Sequence, residues 1–346
     1  MNTVRTIFFG STSDSLLVLD ALSASRFPLH ALHVVGIVTQ PARPLGRNQV
    51  LAPTPVEVYG RDHGLTVLSF PTQKEKPYLY ADESVVADTL APLRADLLIS
   101  ASYGQRIPAH VIRSTRFGGL NIHPSLLPRW RGADPTPWSI LCDDQTGVTI
   151  VTLSERFDEG RIIAQKKRSI DRADTRELLR KKLFDLGAEL LVDSLPDYLS
   201  GAIEGISQKN ELATYARRLT RPDGFIPWEL LTLAREGTLL SPETIQEYNN
   251  VTIVKEGGTI QNLRDSSVAG LVERAIRAFS PWPGVWTLVK VERGKGEGES
   301  EKKRVKILEG RLEGEKLVIH TVQVEGKKPI SFAQFSENHL TPVIPK

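Results

Sequence analysis

From residue 4 to residue 123, short apolar runs alternate with segments of helical spacing, and this alternation limits the chain to few folds. "VRTIFFG" (4–10) is a buried-strand pattern ending in Gly, and "DSLLVLDALSAS" (14–25) follows with its leucines on one helical side. "LHVVGIVT", "LTVLSF", "ADLLISAS" and "GGLNIH" repeat the strand pattern. Between them "VEVYGRDHG", "ESVVADTLAPL" and "PAHVIRST" read as helices. Strands alternating with helices predict an α/β domain on a parallel sheet covered on both faces. In such a sheet ligands bind beyond the carboxyl ends of the strands, where strand order reverses.

The second half differs. "DPTPWSILCDD" reads as a helix, "GVTIVTLS" and "IIAQKKRSI" as strands, and 175–199 as a long amphipathic helix. Residues 205–228 read as a linker. Residues 229–267 are polar at their centre and read as an insertion. After a helix at "AGLVERAIRAF", the runs "GVWTLVKVE", "KRVKILEGRLE", "KLVIHTVQVE" and "ISFAQFS" predict short strands, as in a small barrel of the OB type over 268–346. At 346 residues the chain is long enough for two domains.

Composition removes several classes. No apolar run nears the roughly 20 residues of a membrane helix, so no membrane partner is expected. The start lacks the apolar stretch of a signal peptide, which predicts a cytoplasmic protein, or an organellar one whose leader has been removed. Cys142 is the sole cysteine, which excludes intrachain disulfides and Cys-based zinc sites; it reads as a small buried hydrophobe. No metal is expected. The net charge of +3 permits a nucleic-acid partner without demanding one. "FFGSTSDS" lacks the glycine spacing of a dinucleotide loop and reads as a strand-to-helix turn.

The chemistry concentrates in "NIHPSLLPRWRGADP" (121–135), which begins at the end of a predicted strand. It is too proline-rich for a helix and too irregular for a half-buried strand, so it reads as a loop with a function. Asn121 and His123 are two residues apart. On extended backbone that puts both side chains on one face, where an amide and an imidazole can hold an oxyanion and move a proton. Asp158, in the turn "ERFDEGR", would join them if it faced His123; alone it reads as a turn residue. Arg43 and Arg47, in the proline-rich loop 40–55, are either solvated or carried to a phosphate.

These motifs resemble those of the 10-formyltetrahydrofolate-dependent formyltransferases, whose signature has the form N-x-H-x-S-L-L-P-x-(Y/W)-R-G; "GVTIVTLSERFDEGRII" is similar to the family's second motif. The resemblance implies a Rossmann-like catalytic domain over 1–204 and assigns Asn121, His123 and Asp158 as the catalytic trio. It implies 10-formyltetrahydrofolate as formyl donor, bound along Ser125, Leu126, Leu127 and Pro128 with Tyr103 and Gly104 as a further wall.

Three other stretches, "TQPARPLGRNQVLAPTPVE", "TYARRLTRPDGFIPW" and "AIRAFSPWPGVW", are similar to the branch of the family that formylates initiator methionyl-tRNA. That branch would use Arg43, Arg47 and Arg131 on tRNA, hold tRNA with the C-terminal domain, and act as a monomer. Asn48, Gln49 and Val50 stand where that branch usually has lysines, which removes phosphate-contact charge. An amino-sugar formyltransferase would share the trio but not need the C-terminal domain. A relative with a dead site, binding tRNA or folate, is the other alternative.

Overall fold

In the computed structural model, which describes residues 3–24, 32–45, 49–257, 267–292 and 300–339, "VRTIFFG" forms strand β1 (Val4–Gly10) and the leucine-rich segment after it forms α1 (Ser13–Ala24). β2 (Leu32–Thr39) leads into the proline-rich loop, which contains a short hairpin of β3 (Arg43–Leu45) and β4 (Val50–Ala52). α2 (Pro55–Asp62) starts on a Thr54 side chain that accepts from the Glu57 N–H, with Pro55 at its first position. β5 (Val67–Ser69), α3 (Glu83–Leu90), β6 (Leu97–Ala101), α4 (Ala109–Arg113) and β7 (Gly119–His123) complete the predicted alternation.

α5 (Pro135–Cys142), β8 (Gln145–Thr152), β9 (Ile162–Ser169) and α6 (Arg176–Ser200) follow. Seven strands join in the order β5-β2-β1-β6-β7-β8-β9. The first five are mutually parallel, but β8 pairs antiparallel to β7, and β9 antiparallel to β8. The parallel sheet expected from the strand–helix alternation forms over those five strands, and β8 and β9 extend it as an antiparallel edge. Only residues 153–161 join β8 to β9, and so short a connection makes a hairpin, whereas a parallel return needs a crossover of a dozen or more residues.

β1 lies inside the strand order, between β2 and β6. Phe8 points into one apolar layer with Val18 and Leu19 of α1 and Leu191 and Leu195 of α6. Its neighbours Ile7 and Phe9 point into the other, with Val86 and Leu90 of α3 and Val111 of α4. Successive strand side chains alternate faces, so a run of consecutive apolar residues marks a strand buried on both sides. The chain leaves β1 towards β2 and β5, then returns to β6 and β7 on the other flank. The carboxyl ends of β1, β6 and β7 therefore share one edge at the reversal point, and His123 ends β7 there.

The chain forms two compact units. The first comprises 1–135, 145–169 and 180–217, and the second 136–144, 170–179 and 218–346. Residues 205–217, read as the start of a linker, hydrogen-bond within the first unit: the Arg131 N–H donates to the Thr214 carbonyl at 2.8 Å and the Ala216 N–H to the Arg131 carbonyl at 2.7 Å.

In the second unit α7 (Trp228–Glu236), α8 (Pro242–Glu247) and α9 (Thr252–Gly257) occupy the described part of 229–267, and α10 (Val268–Phe279) follows. Leu230, Leu231, Ile253 and Val254 are buried, so this stretch contributes core. β10 (Val285–Glu292), β11 (Ser300–Glu313), β12 (Lys316–Val324) and β13 (Ile330–Ser331) pair consecutively in a four-stranded antiparallel sheet. "ISFAQFS", read as a strand, is corrected. Only its first two residues are extended, and α11 (Phe332–His339) follows with the Ser331 hydroxyl accepting from the Gln334 N–H. Serine at a helix start competes with strand pairing in this way. No helix among the described residues is long and apolar enough to cross a membrane.

Candidate active site

β7 pairs with β8 so that Asn121 lies opposite Val151 and His123 opposite Thr149. β8 then turns through 153–161, and Asp158 adopts φ +59° in that turn. The turn closes because residue 160 is glycine: a Cβ there would overlap the Thr152 carbonyl oxygen. Gly160→Ala therefore overpacks an unyielding backbone contact. We expect it to lower stability by about 3 kcal/mol, seen as a lower urea midpoint at unchanged m.

The three candidate residues meet. His123 Nδ1 lies 3.3 Å from Asp158 Oδ1, and the Asn121 amide donates to the same oxygen at 3.5 Å. The other carboxylate oxygen accepts from the Gly132 N–H at 2.8 Å. Gly132 has φ +108°, so the strand-end loop can aim this N–H at Asp158 only with glycine at that position. His123 Nε2 contacts the Trp130 carbonyl at 2.8 Å. A carbonyl only accepts, so Nε2 carries a proton; with Nδ1 facing a carboxylate, the ring is doubly protonated.

The electrostatics agree. Burial pushes the imidazole pKa down, but the Asp158 charge, its hydrogen bond and the Trp130 carbonyl outweigh burial and hold it above its ordinary 6.5. Burial pushes the Asp158 carboxyl up. The His123 charge and hydrogen bond, the Gly132 N–H and the Arg131 charge outweigh that and hold it below 3.8. The site is a buried imidazolium–carboxylate pair beside a half-buried amide whose second N–H is a donor for developing negative charge.

Other expected residues divide between holding the loop and offering surface. Ser125 is 0% exposed and its hydroxyl donates to the Arg129 carbonyl at 2.7 Å, so it braces the loop. Leu127 is buried, with its N–H on Thr149 Oγ1 and its carbonyl on the Gln165 amide; the Leu127–Pro128 peptide is cis. Tyr103 is buried too: its hydroxyl bonds Tyr80 at 2.6 Å inside the core, and its carbonyl accepts from Ser11 Oγ and Gln40 Nε2. Leu126 and Pro128 are half-buried and Gly104 is exposed, which leaves these three for a ligand. Arg43 is exposed on the β3–β4 hairpin, and Arg47 lies outside the described residues.

Arg131 is the most enclosed of the expected residues. It is 1% exposed, and its guanidinium is held by Gln208 Oε1 at 2.9 and 3.0 Å, Asn210 Oδ1 at 2.9 Å and Glu159 at 3.5 Å. It ties the loop after β7 to residues 208 and 210.

Sequence reading missed Gln208, whose amide also donates to the Asp158 and Gly160 carbonyls at 2.7 and 2.8 Å, and Thr149, which bridges Leu127 and Ser125. Gln208 sits in a stretch read as linker, with no local signal. Thr149 could be found only by knowing that β8 runs antiparallel to β7. The Arg161 guanidinium, just after Gly160, clamps the Glu204 and Gly205 carbonyls. Among the described residues no group of three His, Cys, Asp or Glu side chains could hold a metal ion.

Residues 4–195 match the formyl transferase family. A methionyl-tRNA formyltransferase of Listeria innocua is 32% identical over 96% of this chain and 94% of its own length. The chain belongs to the formyl transferase family, among the methionyl-tRNA formyltransferases. Another such enzyme, of Chloroflexus aggregans, is 35% identical over 82% of this chain and 76% of its own. An N-formyltransferase of Helicobacter canadensis, solved with folinic acid and dTDP-3-aminofucose, matches 88% of this chain and 95% of its own at a TM-score of 0.50. Its identity is 14%, so that likeness is one of fold. As a formyl transferase, the chain has Asn121, His123 and Asp158 at the reversal edge of its sheet, where this fold class binds ligands.

Proposed function

We propose that this protein transfers the formyl group of 10-formyltetrahydrofolate to the α-amine of initiator methionyl-tRNA, with Asn121, His123 and Asp158 as its catalytic residues. The folate supplies the activated formyl group. The free amine attacks the formyl carbon, and the carbonyl oxygen becomes an oxyanion. Asn121 donates its second N–H to that oxyanion. His123 donates from Nε2, for which its bond to the Trp130 carbonyl has to give way. Asp158 fixes the imidazole and keeps it charged. As the bond from the formyl carbon to N10 breaks, N10 gains a proton and the amine loses one, relayed through His123 and water. Leu126, Pro128 and Gly104 would shape the donor pocket, and Arg43 and Arg47 would meet the acceptor stem.

The convergence of Asn121, His123 and Asp158 on one buried carboxylate carries this reading. Its test is formylation of initiator methionyl-tRNA by the purified protein with 10-formyltetrahydrofolate. Elongator methionyl-tRNA and an amino-sugar nucleotide run in parallel. We expect transfer confined to the initiator, and a drop of about 10²–10³-fold for Asn121→Ala, the loss of one oxyanion donor. Transfer to the sugar alone would move the substrate assignment to that branch. Transfer to neither would leave a binding protein.

A further inference from the structure

The turn "GSTSDS" (10–15) between β1 and α1 carries a knot of hydrogen bonds to the chain leaving β6. The Ser15 hydroxyl accepts from the Ser11 and Thr12 N–H groups at 3.1 and 3.2 Å and donates to the Ala101 carbonyl at 2.7 Å. Ser11 Oγ donates to the Tyr103 carbonyl at 3.1 Å, and the Gln40 amide donates to the same oxygen at 2.6 Å. Residues 101 and 103 are therefore pinned through their carbonyls. Ser102, between them, has φ +50°. In that left-handed region a Cβ crowds its own backbone, and glycine is the usual occupant. Another residue stays there only where its surroundings hold it.

Arg180 of α6 holds it. Its Nη2 donates to Ser102 Oγ at 2.8 Å and lies 2.6 Å from Asp14 Oδ2. The same Asp14 oxygen accepts from the Thr12 hydroxyl at 3.1 Å. The guanidinium lies over the Phe184 ring, 5.9 Å from its centroid. The start of α1, the exit of β6 and helix α6 thus meet at one nitrogen, and Asp14, Ser102 and Arg180 all belong to the first unit.

This meeting point lies beside the candidate site. Gly10 is opposite Ala101 in the sheet, and Ala101 is opposite Ile122, the residue between Asn121 and His123. Neighbouring strands are about 4.8 Å apart, so the turn at Ser102 begins one strand away from the two candidate catalytic residues.

We infer that Arg180 is a positioning residue for formyl transfer. With Asp14 it holds Ser102 in its left-handed turn and so fixes the exit of β6 against the Asn121–His123 end of β7. This rests on Asn121 and His123 being catalytic, as proposed above. A misplacement of about 1 Å near reacting groups costs about 10²-fold in rate, so release of the turn registers in kcat. A glycine at 102 adopts the same φ unaided, so the need for Arg180 disappears with it.

The test is steady-state formylation of methionyl-tRNA by wild type, Arg180→Met and the double variant Arg180→Met/Ser102→Gly. Methionine keeps an apolar stem over Phe184 and removes the guanidinium. All rates are taken well below the melting temperature of each variant, so loss of folded protein does not enter. We expect kcat to fall about tenfold in Arg180→Met, with KM for both substrates held within about twofold. The double variant should recover kcat to within about threefold of wild type. Should Arg180→Met not fold, Asp14→Asn replaces it, leaving the arginine without its charge partner. A few-fold fall and the same recovery by Ser102→Gly are then expected.

An unchanged kcat in Arg180→Met overturns the inference, and so does a fall that Ser102→Gly leaves unrecovered. A raised KM for methionyl-tRNA at constant kcat also overturns it and makes Arg180 an RNA contact. These outcomes in an active wild type sink this inference alone, whereas a wild type that formylates no methionyl-tRNA sinks the functional reading.

Discussion

Asp158→Asn will lower kcat by about 10³-fold while leaving the fold intact. An asparagine side chain fits the same volume. Its oxygen can still accept from the Gly132 N–H, and its amide can donate to His123 Nδ1. Those two hydrogen bonds survive, but the Asn121 amide loses the oxygen it donated to, and the charge that holds the imidazole protonated is gone. His123 already has Nε2–H committed to the Trp130 carbonyl, so a neutral ring would settle with Nδ1 as acceptor. Burial then dominates, and the imidazole pKa falls below its ordinary value. The variant loses the cationic donor at the oxyanion and the carrier of the amine proton together. A kcat within a few-fold of wild type would rule out a catalytic role for the pair.

The same substitution should flatten the pH dependence of stability. His123 has a folded pKa above 6.5, so its contribution is fully present below 6.5 and is lost as pH rises through the folded value. Asp158 has a folded pKa below 3.8, so its contribution is present above 3.8 and is lost as pH falls through the folded value. Both contributions are complete only between those two ordinary values. Urea midpoints across pH 3 to 9 should show that window in wild type and a weaker one in Asp158→Asn. The kcat profile should carry an alkaline limb above 6.5 in wild type that moves to lower pH in the variant.

How much of this was legible in the sequence depended on how local each cause is. The strand–helix alternation around β1 is local, because a strand buried on both faces must be apolar throughout; Ile7, Phe8 and Phe9 show it. The Asn121–His123 pair is also local, since residues two apart on a strand share a face. Apart from the family resemblance, Asp158 was legible only as a turn residue. Its partnership with His123 depends on β8 running antiparallel beside β7 and on Gly160 closing the turn against Thr152. Gln208 had no signal, since its four contacts exist only once "SGAIEGISQKNE" folds back onto the Asp158 turn. The enclosure of Arg131 was hidden for the same reason: a motif arginine looks available to phosphate until Gln208 and Asn210 are seen around it. "ISFAQFS" misled because its apolar alternation fits a strand, while Ser331 caps a helix.

Arg131→Ala tests what that enclosure is for and should be the most destabilising single change near the site. The guanidinium makes three short bonds to side-chain oxygens on 208 and 210 and lies 3.5 Å from Glu159, all within a buried setting. Removing it leaves the Gln208 and Asn210 oxygens unpaired and opens a cavity, and breaking a buried charged network of this kind costs about 3–5 kcal/mol. Arg131→Lys should recover only part of that, because one ammonium cannot reproduce a planar fork across two residues. Activity should fall with stability, since Gly132, next in sequence, supplies the N–H that holds Asp158. The rival assignment, a phosphate contact, makes opposite demands. It requires near-normal stability in Arg131→Ala and a salt dependence of tRNA binding reduced by about one counterion. We expect the thermal midpoint to drop and the salt slope of KM for methionyl-tRNA to stay unchanged. If instead the slope flattens while the melting curve does not move, the arginine leaves its pocket to meet the RNA, and its burial belongs only to the free protein.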